Sequence, residues 1–156
     1  MFIFGVDTMT FTEKAEEVFA LKTRQYELGI GRESDFASTG EDGVLYRLLI
    51  GDAEGTLAGD LARSMGLTSG RIANILKQLE AKGYVARSTG QSDRRQVNVQ
   101  LTEEGRSHIR DAYDDNIRVI EENLRLLGEA DANEYIRILG RIIETFPQSG
   151  AETVKE

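Results

Sequence analysis

Asp93, Arg94 and Arg95 stand together in "TGQSDRRQVNVQL", where turn formers give way to alternating apolar and polar residues from Gln96 to Leu101. Two guanidiniums at the head of a strand can hold an anion, and a neighbouring carboxylate can orient one of them through a charge-assisted hydrogen bond. The surroundings point the same way. Between Thr56 and Leu101 the basic residues are Arg63, Arg71, Lys77, Lys82, Arg87, Arg94 and Arg95, against the acids Asp60, Glu80 and Asp93, a balance of +4. The whole chain is at −8, so the rest of it carries −12. A basic segment in an acidic body is the distribution expected of a chain that turns one face to phosphates and keeps the rest away from them.

Other chemistry finds less support. The chain has no cysteine, which excludes disulfides, thiolate metal sites and a thiol-based redox switch. Glu104, His108 and Asp111 are spaced to share one helix face and could offer ligands to zinc or manganese. His108 is the sole histidine, however, and a solvated face is the commoner reading, so no metal is expected. No nucleophile stands beside a base and no pair of carboxylates has a catalytic spacing, so an enzyme is not expected. The glycines of "GIGRESDFASTG" do not follow a strand, and Ser34 occupies the place of the third glycine of a dinucleotide-binding fingerprint.

A chain of 156 residues, 40 per cent hydrophobic and 29 per cent charged, can bury a core and is expected to form one domain, or one domain plus a helical extension, rather than a disordered chain. The opening "MFIFGVD" is apolar but lacks a basic flank and is too short for a signal-peptide core or a membrane span, so a cytoplasmic protein is expected. Met9 stands just before a helix start, which leaves residues 1–8 as either an extension or an upstream start.

Thr10 and Glu13 have capping-box spacing, and Ala15, Val18, Phe19 and Leu21 follow at helical intervals, predicting a helix from about Thr12 to Leu28. Val44, Leu45, Leu48 and Leu49 predict a short second helix ending near Gly51. In "GTLAGDLARSMGL", Thr56 is the expected cap, Leu57, Leu61, Ala62 and Met65 point inward, and Gly66 closes the helix. "TSGRIANILKQLEAKG" starts on a second cap, Thr68, buries Ile72, Ile75, Leu76 and Leu79, and stops at Gly83. Two short amphipathic helices across a tight turn, the second polar at its front, form a helix-turn-helix arrangement. "YVARS" and "QVNVQL" then read as the strands of a hairpin, with Val97, Val99 and Leu101 on one face.

From Thr56 to Gly105 the chain resembles the winged helix-turn-helix core of the MarR family of bacterial transcriptional regulators. The resemblance rests on Asp-x-Arg in the wing (Asp93, Arg95), on "LEAKGYV" leaving the recognition helix, and on "LTEEG" opening the next helix. It implies a mainly α fold with a winged helix-turn-helix, a two-stranded β-wing and long dimerisation helices. It also implies that Thr68, Ser69, Arg71 and Asn74 reach base edges and phosphates, with Lys77 placed for a phosphate. By the same resemblance Arg95 enters the neighbouring minor groove with Arg94 as helper, where a narrow groove concentrates negative potential, and Asp93 orients them. Against this, helix cations can be a plain solvated face, and charges on a hairpin can merely protect an exposed edge.

In the last third, Ile109, Tyr113, Ile117, Ile120, Leu124 and Leu127 mark a helix of roughly 25 residues, and Tyr135, Leu139, Ile142, Ile143 and Phe146 a further one. The resemblance implies that the terminal helices interleave in a two-fold homodimer that reads a pseudo-palindromic double-stranded DNA operator. The parts are then residues 1–40, an N-terminal helix and loop for dimerisation, residues 41–101, the DNA-binding domain, and residues 102–156, the C-terminal dimerisation helices. No cofactor is required. A small aromatic effector is the family's habit, and Tyr26, Phe36, Tyr46 and Tyr113, with Tyr135, are its candidate lining, although aromatic residues at helical spacing more often belong to core. The reading is a ligand-responsive repressor; the alternative is a winged-helix protein-interaction module that does not read DNA.

Overall fold

The structure, a computed structural model, describes residues 8–30, 40–51, 54–89 and 96–146. It divides into two compact units, one made of residues 1–32 with 118–156 and the other of residues 33–117.

The first unit holds α1 (Phe11–Glu27), the second part of α5 (Glu103–Leu127) and α6 (Glu129–Thr145). The capping box forms as its spacing predicts: the Thr10 hydroxyl accepts the Glu13 N–H at 3.2 Å, and the Glu13 carboxylate accepts the Thr10 N–H at 2.6 Å. The Thr10 backbone N–H, and after it the Thr10 side chain, hold the Glu13 carboxyl below its ordinary value. Thr10→Ala removes one of them and frees the other; the thermal midpoint, followed by circular dichroism, is expected to fall by about 2–4 °C. Ala15, Val18, Phe19 and Leu21 are buried on one face of α1, which packs on α6. Lys14 shares that face and its side chain is wholly buried. Its stem lies in the apolar layer, while its ammonium meets Glu129 Oε1 at 3.2 Å and lies 5.3 Å from the centre of the Phe11 ring, so the charge keeps a partner.

In α6 the buried row is Ala132, Ile136 and Leu139, whereas Ile142 and Phe146 of the expected row are exposed. The inward face therefore begins on a small alanine that a pattern of large apolar residues does not display. Val119, Leu126, Leu127, Ile138, Ile142 and Phe146 leave this unit with large apolar side chains on its surface, Leu126 at 87 per cent exposure.

The second unit runs α2 (Glu41–Ile50), β1 (Thr56–Leu57), α3 (Ala58–Ser64), α4 (Ser69–Ala81), β2 (Val85–Thr89), β3 (Val97–Leu101) and the first part of α5. The core joins Val44, Leu45 and Leu48 to Leu61, Met65, Ile72, Leu76, Leu79, Val85, Val99 and Ile109. α3 and α4 are the expected helix-turn-helix pair, with Gly66 at φ +61° and Gly83 at φ +77° taking the left-handed turns that end them.

The sheet departs from expectation. It has three antiparallel strands in the order β1-β3-β2, with Thr56 opposite Val99 on one side of β3 and Arg87 opposite Val99 on the other. Thr56, the expected cap of α3, is instead a strand residue, and the cap position falls to Leu57, which has no side-chain acceptor. A β-branched threonine adopts the extended backbone readily, and here a strand partner is available to it. Asn98 and Gln100 reinforce the edge, both donating side-chain amide N–H groups to the Glu54 carbonyl.

α5 spans 25 residues, as its periodicity predicts. Its start is clasped to the turn after α4. The Thr102 hydroxyl donates to the Gly83 carbonyl at 2.6 Å and accepts the Gly105 N–H at 3.0 Å, while the Thr102 N–H donates to the Tyr84 carbonyl at 3.1 Å. Gly105 lies so close to this turn that a Cβ there would stand 1.9 Å from the Tyr84 carbonyl oxygen. Among the described residues no helix is long and apolar enough to cross a membrane.

Candidate nucleic-acid interface

α4 presents its two faces by simple periodicity. Ile72, Ile75, Leu76 and Leu79 enter the core, and Ser69, Arg71, Asn74, Lys77 and Gln78 are exposed. Thr68 caps the helix, its hydroxyl accepting the Arg71 N–H at 3.3 Å, which leaves the hydroxyl proton available to an outside acceptor. The five residues singled out by sequence, Thr68 at the cap and Ser69, Arg71, Asn74 and Lys77 on α4, are thus all exposed, on a surface that begins at a helix N-terminus.

The ion pairs sort the basic residues of this unit. Arg63 meets Asp60 at 2.8 Å, Lys82 pairs with Glu41, and Arg87 pairs with Glu80 through both Nε and Nη2. Arg71 and Lys77 have no ion pair among the described residues. Of the five described cations counted between Thr56 and Leu101, three are therefore paired with carboxylates, and the two without an ion pair both lie on α4. The Arg87 guanidinium holds Glu80 below the usual carboxylate range, and Glu41 raises Lys82. For Glu80 the consequence has a definite sign: the pair contributes at neutral pH and is lost as pH falls from the ordinary carboxylate value through the lowered one.

Sequence reasoning counted Arg63, Lys82 and Arg87 only as charge. The Asp60–Arg63 pair was open to view at i, i+3, but Glu41 and Lys82 are 41 positions apart and meet only in the fold. Asp93, Arg94 and Arg95 lie outside the described residues. The strands that carry them are described up to the Thr89–Val97 pair.

The remaining candidates are placed differently. His108 does not gather Glu104 and Asp111 around an ion. Its Nε2 lies 3.3 Å from Asp42 Oδ1, and its ring stacks on Tyr84 with centroids 4.5 Å apart. Among the described residues no three histidine or acidic side chains are grouped so as to hold a metal. Tyr46 and Tyr113 stack at 5.9 Å, nearly parallel, within the second unit. Tyr26 and Tyr135 belong to the first unit, and Phe36 lies outside the described residues.

Comparison with known proteins gives this geometry a context. The family model described as the MarR family matches residues 48–97, from the end of α2 to the first residue of β3. YfiV of Bacillus subtilis, described as an HTH-type transcriptional regulator, is 34 per cent identical over 101 residues, which are 62 per cent of this chain and 63 per cent of that protein. The chain thus spans somewhat less than two thirds of this relative's length. Among solved structures, B. subtilis YusO superposes with a TM-score of 0.60 at 18 per cent identity, over 83 per cent of this chain and 89 per cent of that one. MepR of S. aureus, in a structure of its DNA complex, gives 0.52 at 19 per cent identity, over 83 and 94 per cent. At such identities the structural likeness speaks for the fold, and the sequence matches speak for descent. Residues 48–97 thus carry the sequence pattern of the MarR family, on the fold of a winged helix-turn-helix protein.

Proposed function

We propose that the protein is a transcriptional regulator that reads double-stranded DNA sequence-specifically as a homodimer. The observation that carries this is the outer face of α4, where Thr68, Ser69, Arg71, Asn74 and Lys77 are exposed together and the two cations have no partner among the described residues. Hydroxyls, an amide and a guanidinium are the groups that read base edges, and cations without partners displace condensed counterions from phosphates. Arg94 and Arg95 act in the adjoining minor groove, with Asp93 orienting them. Two relatives from B. subtilis, both described as HTH-type transcriptional regulators, support the reading. No catalytic role and no required cofactor belong to it, and its place is the cytoplasm, acting as a repressor whose affinity falls when an effector favours the state that binds DNA less well. The stacked Tyr46 and Tyr113 are one wall for an aromatic effector.

The homodimer follows from the surface of the first unit, where Leu126, Val119 and Ile138 are exposed at 87, 53 and 44 per cent. A surface of this kind on a folded unit marks an association face. Leu126→Glu with Ile138→Glu is expected to halve the mass in sedimentation velocity. It should also cost more than 100-fold in affinity for a two-half-site duplex, because each half then binds alone.

The test of function is fluorescence-anisotropy binding to the intergenic DNA upstream of the protein's own gene, with scrambled competitor and a salt series. Selective binding that weakens steeply with salt is expected. Equal binding to scrambled DNA, followed by failure to enrich any sequence from a random pool, would leave the protein-interaction module in its place.

A further inference from the structure

Resting on the DNA-reading function above, we propose that Glu80 and Arg87 are a positioning pair: they fix the tilt of the β2–β3 hairpin on the recognition helix, so that helix and wing meet neighbouring grooves at one spacing. Glu80 stands in the last turn of α4 and Arg87 in the middle of β2, seven positions on, across the turn at Lys82–Tyr84. Arg87 Nε lies 2.9 Å from Glu80 Oε2 and Nη2 meets the same oxygen, so the guanidinium is held by two of its donors.

The pair lies where the hairpin leaves the core. Val85 and Val99 are buried, whereas Ser88 and Thr89, beyond Arg87, are exposed. The backbone link between helix and hairpin passes through Gly83 at φ +77°, in a short turn held by N–H groups of Lys82, Gly83 and Tyr84 on carbonyls of Gln78, Glu80 and Leu79. β1 and the buried Val85 and Val99 hold the base of the hairpin; the ion pair ties the exposed part of β2 beyond that base to α4. Each further strand residue adds about 3.3 Å, so any tilt left at Arg87 grows along β2 to Thr89 and with the chain beyond it.

The acid in this pair makes the proposal testable by sign. Glu80 is a negative charge in the segment that faces phosphates, so if it had no positional role its removal would tighten binding through electrostatics. Positioning makes the opposite demand: Glu80→Ala loosens the wing and weakens specific binding even though the protein becomes more positive. An Arg87 that touched phosphate directly would likewise give tighter binding in Glu80→Ala, with its guanidinium released.

The experiment uses the intact chain and a duplex selected by it from a random-sequence pool. Hydroxyl-radical cleavage reports minor-groove protection at the flanks, and methylation of guanine N7 reports the major groove. Glu80→Ala and Arg87→Ala are each expected to bind about fivefold to tenfold more weakly, to lose at least half of the flank protection, and to keep the guanine protection. The charge swap Glu80→Arg with Arg87→Glu restores most of the flank protection, since the pair re-forms in reverse. Circular dichroism midpoints within a few degrees of the parent exclude a folding defect as the cause. Glu80→Ala that binds as tightly or more tightly, with its flanks protected, overturns the proposal, as does a swap no better than the single variants. Backbone amide heteronuclear NOE values for residues 85–89 and 97–101, measured without DNA, should drop in Glu80→Ala relative to those of α4; unchanged values also overturn it. If the intact protein selects no duplex, the regulatory reading fails instead, and the NOE comparison still decides whether the pair holds the hairpin.

Discussion

Gly105→Ala is expected to lower the unfolding midpoint by about 4–8 °C or more, or to prevent accumulation of folded protein altogether. Two effects of the substitution oppose each other. Replacing glycine by alanine inside a helix stabilises it by about 1 kcal/mol through the unfolded chain and the helix backbone. The added methyl group, however, would stand 1.9 Å from the carbonyl oxygen of Tyr84, 2.7 Å from its carbonyl carbon and 2.9 Å from its Cα. All three are backbone atoms, and the turn they belong to is pinned: the Tyr84 carbonyl accepts the Thr102 N–H, and the Tyr84 N–H donates to Leu79. Nothing there swings aside as a side chain end would. Relief requires moving the first turn of α5 away from the turn after α4, at the cost of the Thr102 bonds and of the burial of Ile109 one turn later. Overpacking of this kind costs about 3 kcal/mol or more, which outweighs the propensity gain. Circular dichroism melts of parent and variant at one concentration decide it; a midpoint equal to or above the parent's would show that the two segments separate freely.

Arg95→Ala is expected to cost about tenfold or more in affinity for the selected duplex, within the ~1–3 kcal/mol of a good arginine contact, and to lower the slope of log K against log salt by about 1. The effect should be largest on duplexes with A·T-rich flanks, where the minor groove is narrow and its potential most negative. Lys77→Ala is the comparison. A cation placed for a phosphate carries no base information, so its loss should weaken selected and scrambled duplexes alike. A salt series with both variants on both duplexes separates the roles. If Arg95→Ala leaves affinity, selectivity and slope unchanged, the wing arginines serve only to protect an exposed hairpin edge.

The parts of this fold that were legible in sequence are those set by local rules. The capping box at Thr10, the cap at Thr68, the stops at Gly66 and Gly83, and the apolar rows of α4 and α5 each rest on residues a few positions apart, and the helices form where those residues place them. What was not legible rests on distant partners. β1 is two residues long, too short to show a strand period, and exists because β3, some 40 positions later, offers it hydrogen bonds. Thr56 before an apolar run satisfies the rule for a cap and equally the rule for a strand, and only the sheet decides between them. Lys14 is charged, and nothing local shows that Glu129 will reach it in the interior. The candidate interface divides in the same way. Outward α4 residues follow from the inward ones, but which cations already have carboxylate partners depends on Glu41 and Glu80, whose meetings with Lys82 and Arg87 are made by the turn and the packing of α2.

The Glu54 carbonyl, held at once by the amides of Asn98 and Gln100, separates the length of the wing from its alignment. Two side chains on the same face of β3 can share one fixed acceptor in only one alignment, since a slip by one residue would turn both to the opposite face and expose Val99. Strand alignment is therefore settled at the base of the hairpin, from outside it. Insertions or deletions in the chain that joins β2 to β3 are closed at small entropic cost and need not propagate into the sheet. A lineage carrying this base can thus change the length of that connection alone, leaving the folded unit beneath it as it was.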